Sequence, residues 1–245
     1  MFESMTAGQM LLSAAILLIA FFVRGIVGFG SGLIGIPLLA LFLPVTMVVP
    51  VVALLDYAAS MAHSGRHRSH VNWRVVWPFI PFMLLGVGLA LYLFSTLDAV
   101  LLRKLLGGFI LLYAVYMLSG FNPHDRSSAW WAVPTGTMGG LVSTLFGTGG
   151  PMTVIYLHLR GLEKQAFRAS IAVMFLMDGT SRILGYVVTG FMPLQALYLA
   201  LCALPLVAVA MYAGGHIHTT IKQQTFNQLI GWLLIASGIA LLLKP

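Results

Sequence analysis

The stretch FVRGIVGFGSGLIGIPLL, residues 22–39, interrupts an apolar run with an arginine and a cluster of glycines. A continuous helix inside a lipid bilayer is expected to contain neither, because a buried charge is costly and glycine is a poor helix former. A similar stretch, LVSTLFGTGGPMTVIYL, occupies residues 141–157, so that FGSG at 29–32 aligns with FGTG at 146–149. The sequence therefore predicts the same helix break in two apolar segments.

The composition is typical of an integral membrane protein. Of the 245 residues, 60% are hydrophobic and only 8% are charged, whereas soluble domains carry roughly 25% charged residues. The net charge of +7 comes mainly from basic residues in short loops, where such residues set membrane topology. We therefore expect a lipid bilayer and not nucleic acid as the partner. Apolar runs long enough to cross about 30 Å of hydrocarbon lie at 75–95, 104–120, 169–189, 193–213 and 226–243.

The chain also has the pattern of a tandem duplication. In addition to the paired glycine stretches, LLRKLLGGFILLYAVYML at 101–118 overlays TFNQLIGWLLIASGIALL at 225–242. Each half consists of an apolar run, a glycine break, a short apolar piece, a loop and three further spans. The short pieces are residues 33–43 and 150–159. The predicted divisions are a first half at 1–120, a polar linker FNPHDRSS at 121–128 and a second half at 129–245.

The positions of lysine and arginine predict that the two halves are inverted. If each run and its short piece form a hairpin that returns to its starting side, one side holds Arg66, Arg68, Arg74, Arg126, Arg160, Lys164, Arg168 and Lys222, and the other holds Arg103, Lys104 and Lys244. A single crossing would instead divide these residues six to five. Because cytoplasmic loops carry an excess of Lys and Arg, the hairpin is favoured. The loops that then face the cytoplasm are 63–74, 121–128, 160–168 and 214–225.

The predicted fold is thus an all-α polytopic membrane protein of two homologous halves in inverted repeat. Each half has a glycine-broken hairpin and three transmembrane helices, an architecture typical of secondary transporters. A turn inside the membrane directs the first N–H groups of the next helix at a polar cavity, with the positive end of the helix dipole. We therefore expect the two turns to meet around one anion site. The predicted ligand residues are Gly30, Ser31, Gly32, Gly147, Thr148, Gly149 and Gly150.

Four ionisable side chains inside the spans are further candidates, namely Arg24, Asp56, Asp178 and Arg182. Asp178 and Arg182 lie four residues apart, on one helical face. Either they form a structural ion pair, or Arg182 binds the oxyanion with its planar guanidinium while Asp178 orients it. Arg24 either contacts the anion or pairs with Asp56, and Asp56 is either a structural carboxyl or the carrier of a coupling proton.

With its motifs GFGSGLIGIPLL and LFGTGGPMTVIYL, the latter followed by the helix EKQAFRASIAV at 163–173, the sequence resembles the sulfite exporter TauE/SafE family. This family is also called the toluene sulfonate uptake permeases, and the resemblance covers nearly the whole chain. It implies transport of a small sulfur-containing anion such as sulfite, sulfoacetate or a related sulfonate, often outward, across a bacterial inner membrane. In the first half GSGL departs from the family's fuller glycine run, and PVTMVVP at 44–50 replaces a more polar loop.

Other functions are open at this point. His63, His67 and His70 are spaced four and three apart, but their stretch contains basic residues and no acid or cysteine, which favours a solvated loop. We therefore expect neither a metal nor a cofactor. A membrane enzyme could use Asp56 and Asp178 as an acid and base pair, and an assembly or scaffold protein is a third class. The duplicated turns favour a transporter over an enzyme, and a homodimer is one option for its assembly.

Overall fold

The computed structural model describes residues 6–27, 30–63, 70–119, 128–216 and 223–244, and within these ranges the secondary structure is helical, with no β-strand. One 3₁₀ turn, Ala129–Trp131, precedes the sixth helix. The helices are α1 (Ala7–Val27), α2 (Ser31–Ala40), α3 (Val45–His63), α4 (Trp73–Thr96), α5 (Ala99–Leu118), α6 (Ala132–Phe146), α7 (Gly150–Leu159), α8 (Lys164–Val188), α9 (Leu194–His216) and α10 (Gln223–Leu243).

Five of these helices, α1, α4, α5, α8 and α9, are long and apolar enough to cross a membrane. Large apolar side chains point away from the protein along the helices, and Leu112, Val188 and Leu243 are 74%, 84% and 77% exposed. Apolar surface of this kind is typical of contact with lipid, because water-soluble monomers seldom expose large continuous apolar patches. The prediction of an all-α polytopic membrane protein is confirmed.

The predicted element boundaries are correct to within a few residues in most places, but one loop is wrong. PVTMVVP at 44–50 is helical except for its first residue, because α3 begins at Val45. The Pro44 carbonyl accepts hydrogen bonds from the backbone N–H groups of Met47 and Val48. A proline just before a helix loses no intrahelical donor, and one inside a membrane helix, such as Pro50, is tolerated when its surroundings satisfy the backbone. The predicted loop 160–168 is also shorter, since α8 begins at Lys164.

The chain divides into two compact units. The first, within Met1–Leu55, Leu97–Phe121 and Pro193–Pro245, contains α1, α2, α5, α9, α10 and most of α3. The second, within Asp56–Thr96 and Asn122–Met192, contains α4, α6, α7, α8 and the end of α3. Each unit therefore combines helices from both predicted halves. The halves themselves describe a repeat in the sequence and stay a prediction, and of their linker only Ser128 is among the described residues.

In the first unit α5 and α10 pack closely and run in opposite directions. At one end, Arg103 Nη2 donates a hydrogen bond to the backbone oxygen of Lys244 over 2.7 Å. In the middle, a Cβ atom at Gly107 would lie 3.1 Å from the Gly238 oxygen. At the other end, Leu118 lies over Gly231, where an added Cβ would be 2.8 Å from the leucine Cδ2. Residue numbers thus rise along α5 as they fall along α10, which defines an antiparallel pair.

The end of α2 lies beside the same end of that helix pair. Lys244 Nζ donates a hydrogen bond of 2.6 Å to the Leu41 backbone oxygen, directly after α2. The C-terminal end of α2, the N-terminal end of α5 and the C-terminal end of α10 are therefore neighbours. Helix α2 also packs against α1, as a hairpin requires.

In the second unit α4 and α6 are in closest contact and run parallel. A Cβ atom at Gly136 would lie 3.0 Å from the Phe79 oxygen, and one at Gly140, a turn later, would overlap the Met83 oxygen. Small residues spaced four apart permit this kind of close approach between membrane helices. Helix α7 packs against both α6 and α8. Its Tyr156 is fully buried and donates a hydrogen bond to the Val75 oxygen over 2.8 Å.

Candidate functional site

The second glycine turn, between α6 and α7, is fully described and its glycines have distinct geometric roles. Gly147 ends α6 in the left-handed conformation, with φ of 65°, which a residue with a Cβ atom adopts at a cost. Its N–H donates a hydrogen bond of 2.8 Å to the Ser143 oxygen. Gly149 lies so close to α6 that a Cβ atom there would overlap that of Ser143. The chain can reverse here because these positions are glycine.

Helix α8 holds this turn by covering the last carbonyl groups of α6. Arg182 Nη1 donates a hydrogen bond of 2.6 Å to the Ser143 backbone oxygen, and the Tyr186 hydroxyl donates one to the Thr144 backbone oxygen. The Ser143 carbonyl accepts hydrogen bonds from both the Gly147 N–H and Arg182. The last carbonyls of a helix carry the negative end of its dipole. By binding them, Arg182 and Tyr186 reduce the negative potential at the turn.

Asp178 completes the network from one turn earlier on α8. Its Oδ2 lies 3.2 Å from Arg182 Nε, and its Oδ1 accepts a hydrogen bond of 2.6 Å from the Ser143 hydroxyl. Arg182 is 6% exposed, so the positive charge is out of water and needs this carboxylate. The predicted pairing of Asp178 with Arg182 is confirmed. Serine, aspartate and arginine form a closed ring of contacts around the end of α6.

Two hydroxyl groups of the turn remain without a partner. The Oγ1 atoms of Thr144 and Thr148 are buried and have no hydrogen bond to any residue that the structure describes. Buried polar side-chain atoms in proteins are nearly always hydrogen-bonded, so each of these groups calls for an explanation. Thr148 is 3% exposed and stands directly before the first turn of α7. At that helix terminus Pro151 has no N–H and the Met152 N–H is bonded to the Gly149 oxygen, which leaves the N–H of Gly150. An anion is the ligand that such a position favours.

The first glycine turn belongs to the other compact unit. Gly30 precedes α2 with φ of 99°, a left-handed conformation that favours glycine, and a Cβ atom there would meet no neighbouring atom of the described residues within 4 Å. Arg24 Nη1 donates a hydrogen bond of 3.0 Å to the Ser31 hydroxyl oxygen. Arg24 and Ser31 are buried, at 8% and 1% exposure, as is Gly32. The two predicted ligands Arg24 and Ser31 are thus in direct contact.

The remaining candidates are placed as follows. Gly150 begins α7 and faces the ring of Phe175. Asp56 is half-buried in α3, where its backbone oxygen accepts a hydrogen bond from the Ser60 hydroxyl. The side chains of His63 and His67 lie outside the described residues.

Sequence reasoning missed three residues of this site, namely Ser143, Thr144 and Tyr186. Tyr186 had a signal, because it follows Arg182 by four residues and Asp178 by eight, and therefore shares their helical face. Ser143 and Thr144 contribute backbone oxygens to the network, and Ser143 also donates its hydroxyl to Asp178. A backbone acceptor has no sequence signature, so these contacts could not be foreseen from residue types.

Two curated relatives share similarity over most of the chain. A probable sulfite/organosulfonate exporter TauE of Cupriavidus necator is 28% identical over 225 residues, covering 89% of this chain and 88% of the relative. A probable inner membrane transporter protein TsaS of Comamonas testosteroni is 28% identical over 192 residues, covering 78% of this chain and 80% of the relative. No solved structure matches the chain. The model of the sulfite exporter TauE/SafE family matches residues 12–241, and the protein therefore belongs to this family of membrane transporters and is not an enzyme.

Proposed function

We propose that the protein is a secondary transporter that moves a small sulfur-containing anion outward across the bacterial inner membrane. Sulfite, sulfoacetate and related sulfonates are the candidate substrates. The relatives support this proposal, since one is named as a sulfite/organosulfonate exporter and the other as an inner membrane transporter. Transport without ATP hydrolysis is consistent with the sequence, which has no G-x-x-x-x-G-K-[ST] phosphate-binding loop.

The observation that carries this proposal is the unpartnered hydroxyl of Thr148 at the N-terminus of α7. Together with the N–H of Gly150, the first residue of α7, it forms a pair of neutral donors at a positive helix end; Pro151 has no N–H, and the Met152 N–H is bonded to the Gly149 oxygen. Arg182 adds a guanidinium group. Its Nε and Nη1 atoms contact Asp178 and Ser143, and the remaining nitrogen, Nη2, offers further N–H groups. We propose that these groups bind an oxygen of the anion, with Asp178 orienting Arg182.

At the first turn, Gly30, Ser31, Gly32 and Arg24 are proposed to supply the corresponding donors. The contact between Arg24 and Ser31 supports this, because it holds a positive charge beside the N-terminus of α2. Asp56 is proposed as a structural carboxyl, with proton carriage as the alternative role that its substitution tests.

The inverted repeat is part of the same proposal, and the packing of α5 against α10 supports it. These are the last helices of the two predicted halves. If each half crossed the membrane an even number of times, equivalent helices would run in the same direction. The contacts of Arg103 with Lys244 and of Leu118 with Gly231 require opposite directions, as expected when the second half is upside down. Alternating access in such transporters uses this symmetry.

Substitution of Thr148 by valine tests the proposed site, because valine keeps the shape of threonine and removes the hydroxyl. Since that hydroxyl has no partner among the described residues, its removal is expected to leave the stability of the ligand-free protein unchanged or slightly higher. The stabilisation by sulfite or by a sulfonate, about 2.7 kcal/mol at a hundredfold excess over the dissociation constant, is expected to fall. Thermal unfolding of the purified protein with sulfite, methanesulfonate, sulfoacetate and acetate measures both effects.

Thr189→Val is the matched control, because Thr189 is exposed at the end of α8 and its hydroxyl bonds the Gly185 oxygen. This variant should keep the full ligand-induced shift. A Thr148→Val protein that is less stable without ligand but retains the full shift would assign the hydroxyl a structural role. No shift with any sulfur anion in the wild-type protein would contradict the proposed function itself.

A further inference from the structure

A small cavity lies in the first unit, at the end of α2 opposite to the first glycine turn. Its wall is formed by residues between Ala40 and Val45, by the first residues of α5 and by Lys244, directly after α10. The volume is about 250 Å³, somewhat below the roughly 300–1,000 Å³ of sites for drug-sized ligands. The cavity therefore suits one small chemical group.

The cavity is lined by positive charge. Arg103 and Lys244 both belong to its wall, and among the described residues that form the wall none is acidic. The acid nearest in the sequence, Asp98, is exposed, and its Oδ1 accepts a hydrogen bond of 2.7 Å from the Leu101 N–H as the cap of α5. The N-terminal end of α5 contributes the positive end of a helix dipole to the same place. An anionic group is the ligand that this combination favours.

The two basic side chains are held in place by backbone oxygens. Arg103 Nη2 donates a hydrogen bond of 2.7 Å to the Lys244 oxygen, and Lys244 Nζ donates one of 2.6 Å to the Leu41 oxygen. A carbonyl group has no net charge, so these contacts orient the two cations without neutralising them. Each contact also uses a single donor, whereas an ammonium group has three and a guanidinium group has five.

Exposed apolar side chains continue from the cavity along α5 and α10. Val100 belongs to the cavity wall and is itself exposed, as are Leu101 and Leu105 further along α5. On α10, Leu243 directly precedes Lys244 and is also exposed. Since α5 is long and apolar enough to cross the membrane and begins beside the cavity, the cavity lies where a helix leaves the hydrocarbon. A charged group and an apolar chain can thus be bound side by side here.

We infer that the cavity binds the headgroup phosphate of an anionic phospholipid, with the acyl chains against the exposed side chains of α5 and α10. Basic pockets between transmembrane helices are known to bind anionic headgroups. A zwitterionic headgroup fits less well, because choline would bring another positive charge to Arg103 and Lys244. In the proposed topology this is the leaflet that faces away from the cytoplasm. The inference concerns a site separate from the proposed anion site and does not depend on the transported anion.

Thermal unfolding of the purified full-length protein in detergent micelles with added lipid tests the inference. Phosphatidylglycerol is the anionic probe and phosphatidylcholine is the zwitterionic probe. We expect phosphatidylglycerol to raise the melting temperature of the wild-type protein more than phosphatidylcholine does. In Arg103→Gln and in Lys244→Gln this difference between the lipids should be lost. If the two side chains only cap the C-terminal ends of α10 and α2, the variants would melt earlier without lipid but would keep the difference, which would overturn the inference.

Lys104→Gln is the matched control. Lys104 is the basic residue next to Arg103, is exposed and does not line the cavity. This variant loses the same charge and should keep the full difference between the two lipids. An equal loss in Lys104→Gln would assign the effect to the general surface charge and contradict a specific site. Equal stabilisation of the wild-type protein by both lipids would contradict it as well.

Glycerol phosphate, which has a phosphate but no acyl chains, separates a lipid from a free anion. If it stabilised the protein as much as phosphatidylglycerol does, and in the same Arg103-dependent way, the ligand would be a free oxyanion and the phospholipid assignment would be wrong. Should the variants not fold, a phosphatidylglycerol with a photoreactive group near its phosphate tests the wild-type protein. It should label residues 40–45 or 99–103, and labelling confined to other helices would overturn the inference. None of these results requires transport, so they leave the proposed function to its own test.

Discussion

Tyr186 connects the buried ion pair to the glycine turn. It follows Arg182 by one helical turn, is fully buried and donates to the Thr144 oxygen. Arg182 and Tyr186 thus bind the carbonyl groups of two consecutive residues at the end of α6. An arginine in the middle of a membrane span is explained at this scale by two contacts, one with a carboxylate and one with a helix end. Loss of either partner of a buried pair typically costs about 3–5 kcal/mol.

We predict that Tyr186→Phe reduces transport more than it reduces stability. The substitution removes one hydrogen bond, worth about 0.5–1.5 kcal/mol, and keeps the ring that packs 6.0 Å from that of Phe94. Without this bond α8 holds the end of α6 through the contacts of Ser143 with Arg182 and Asp178, and the Thr144 carbonyl is released, so the turn that carries Thr148 is less well positioned. Flux of methanesulfonate from proteoliposomes and thermal unfolding of the same preparation measure the two effects.

Tyr156→Phe is the matched control for this prediction. Tyr156 is also a fully buried tyrosine of the second unit that donates to a backbone oxygen, that of Val75. Loss of the Tyr156 hydroxyl should lower the stability of the protein to a similar degree as loss of the Tyr186 hydroxyl. The flux per inserted protein should fall less. Equal losses of flux in both variants would mean that the Tyr186 hydroxyl contributes to general stability and not to the position of the turn.

At the scale of single residues, the sequence predicts side-chain pairs better than contacts with the backbone. Asp178 and Arg182 could be paired in advance because their spacing of four is that of one helical turn. The bond from Arg24 to Ser31 was not foreseen, although both residues were candidates. The glycines of the second turn were identified by their repetition in the sequence. Their separate roles, a left-handed backbone at Gly147 and close contact with α6 at Gly149, depend on how α6 and α7 pack.

At the scale of helices, the close contact between α4 and α6 determines the shape of the second unit. Gly86 of α4 lies so near α6 that a Cβ atom would overlap the Thr137 oxygen. Around a Cβ atom built at Gly88, two residues later on the same helix, no neighbouring side chain or helix among the described residues comes within 4 Å. The two glycines differ only in the face of α4 that they occupy, which makes them a natural pair for comparison.

We predict that Gly86→Ala strongly destabilises the protein whereas Gly88→Ala does not. The first substitution forces α4 and α6 apart, and overpacking of this kind costs about 1–3 kcal/mol or more. The second adds a methyl group in open space, and alanine is the better helix former by about 1 kcal/mol. Unfolding in a mild detergent on titration with a denaturing one measures both. Equal stability of the two variants would show that α4 and α6 are not in close contact in the membrane.

The helices themselves were largely predictable because hydrophobic length is a strong signal in membrane proteins. The short helix α7 coincides with the predicted piece at 150–159. The error at residues 44–50 has a physical cause, since proline breaks helices in water but is tolerated in membrane helices. Prolines also lie inside α2, α4 and α9, at Pro37, Pro78, Pro81 and Pro205.

At the scale of the whole molecule, the proposed topology places residues 63–74 and 160–168 in the cytoplasm and both termini outside it. We predict that cysteines introduced as His67→Cys and Lys164→Cys, after Cys202→Ser, are labelled from the cytoplasmic side of sealed vesicles. Lys104→Cys should be labelled from the opposite side, because α5 begins near Lys244 and the end of α2. Labelling of positions 67 and 164 from opposite sides would contradict the inverted repeat.

The proposed outward direction of transport is the one that the membrane potential favours for an anion. With the cytoplasm about 100 mV negative, outward movement of one negative charge is downhill by about 2.3 kcal/mol, close to a fiftyfold concentration ratio at 1.4 kcal/mol per decade. A monoanion can therefore leave the cell by uniport without a coupling ion. Import would have to overcome the same free energy, which requires more than one cation to accompany each anion.

We therefore predict potential-driven efflux. Liposomes loaded with methanesulfonate, with valinomycin and a potassium gradient setting the voltage, should release the anion faster when the interior is negative, and an imposed pH gradient should have little effect. Asp56→Asn is the decisive variant, since Asp56 is the membrane carboxyl outside the pair of Asp178 with Arg182. If flux ignored the voltage, followed the pH gradient and disappeared in Asp56→Asn, Asp56 would be a proton carrier. Transport would then be proton-coupled, and the membrane potential alone would not determine its direction.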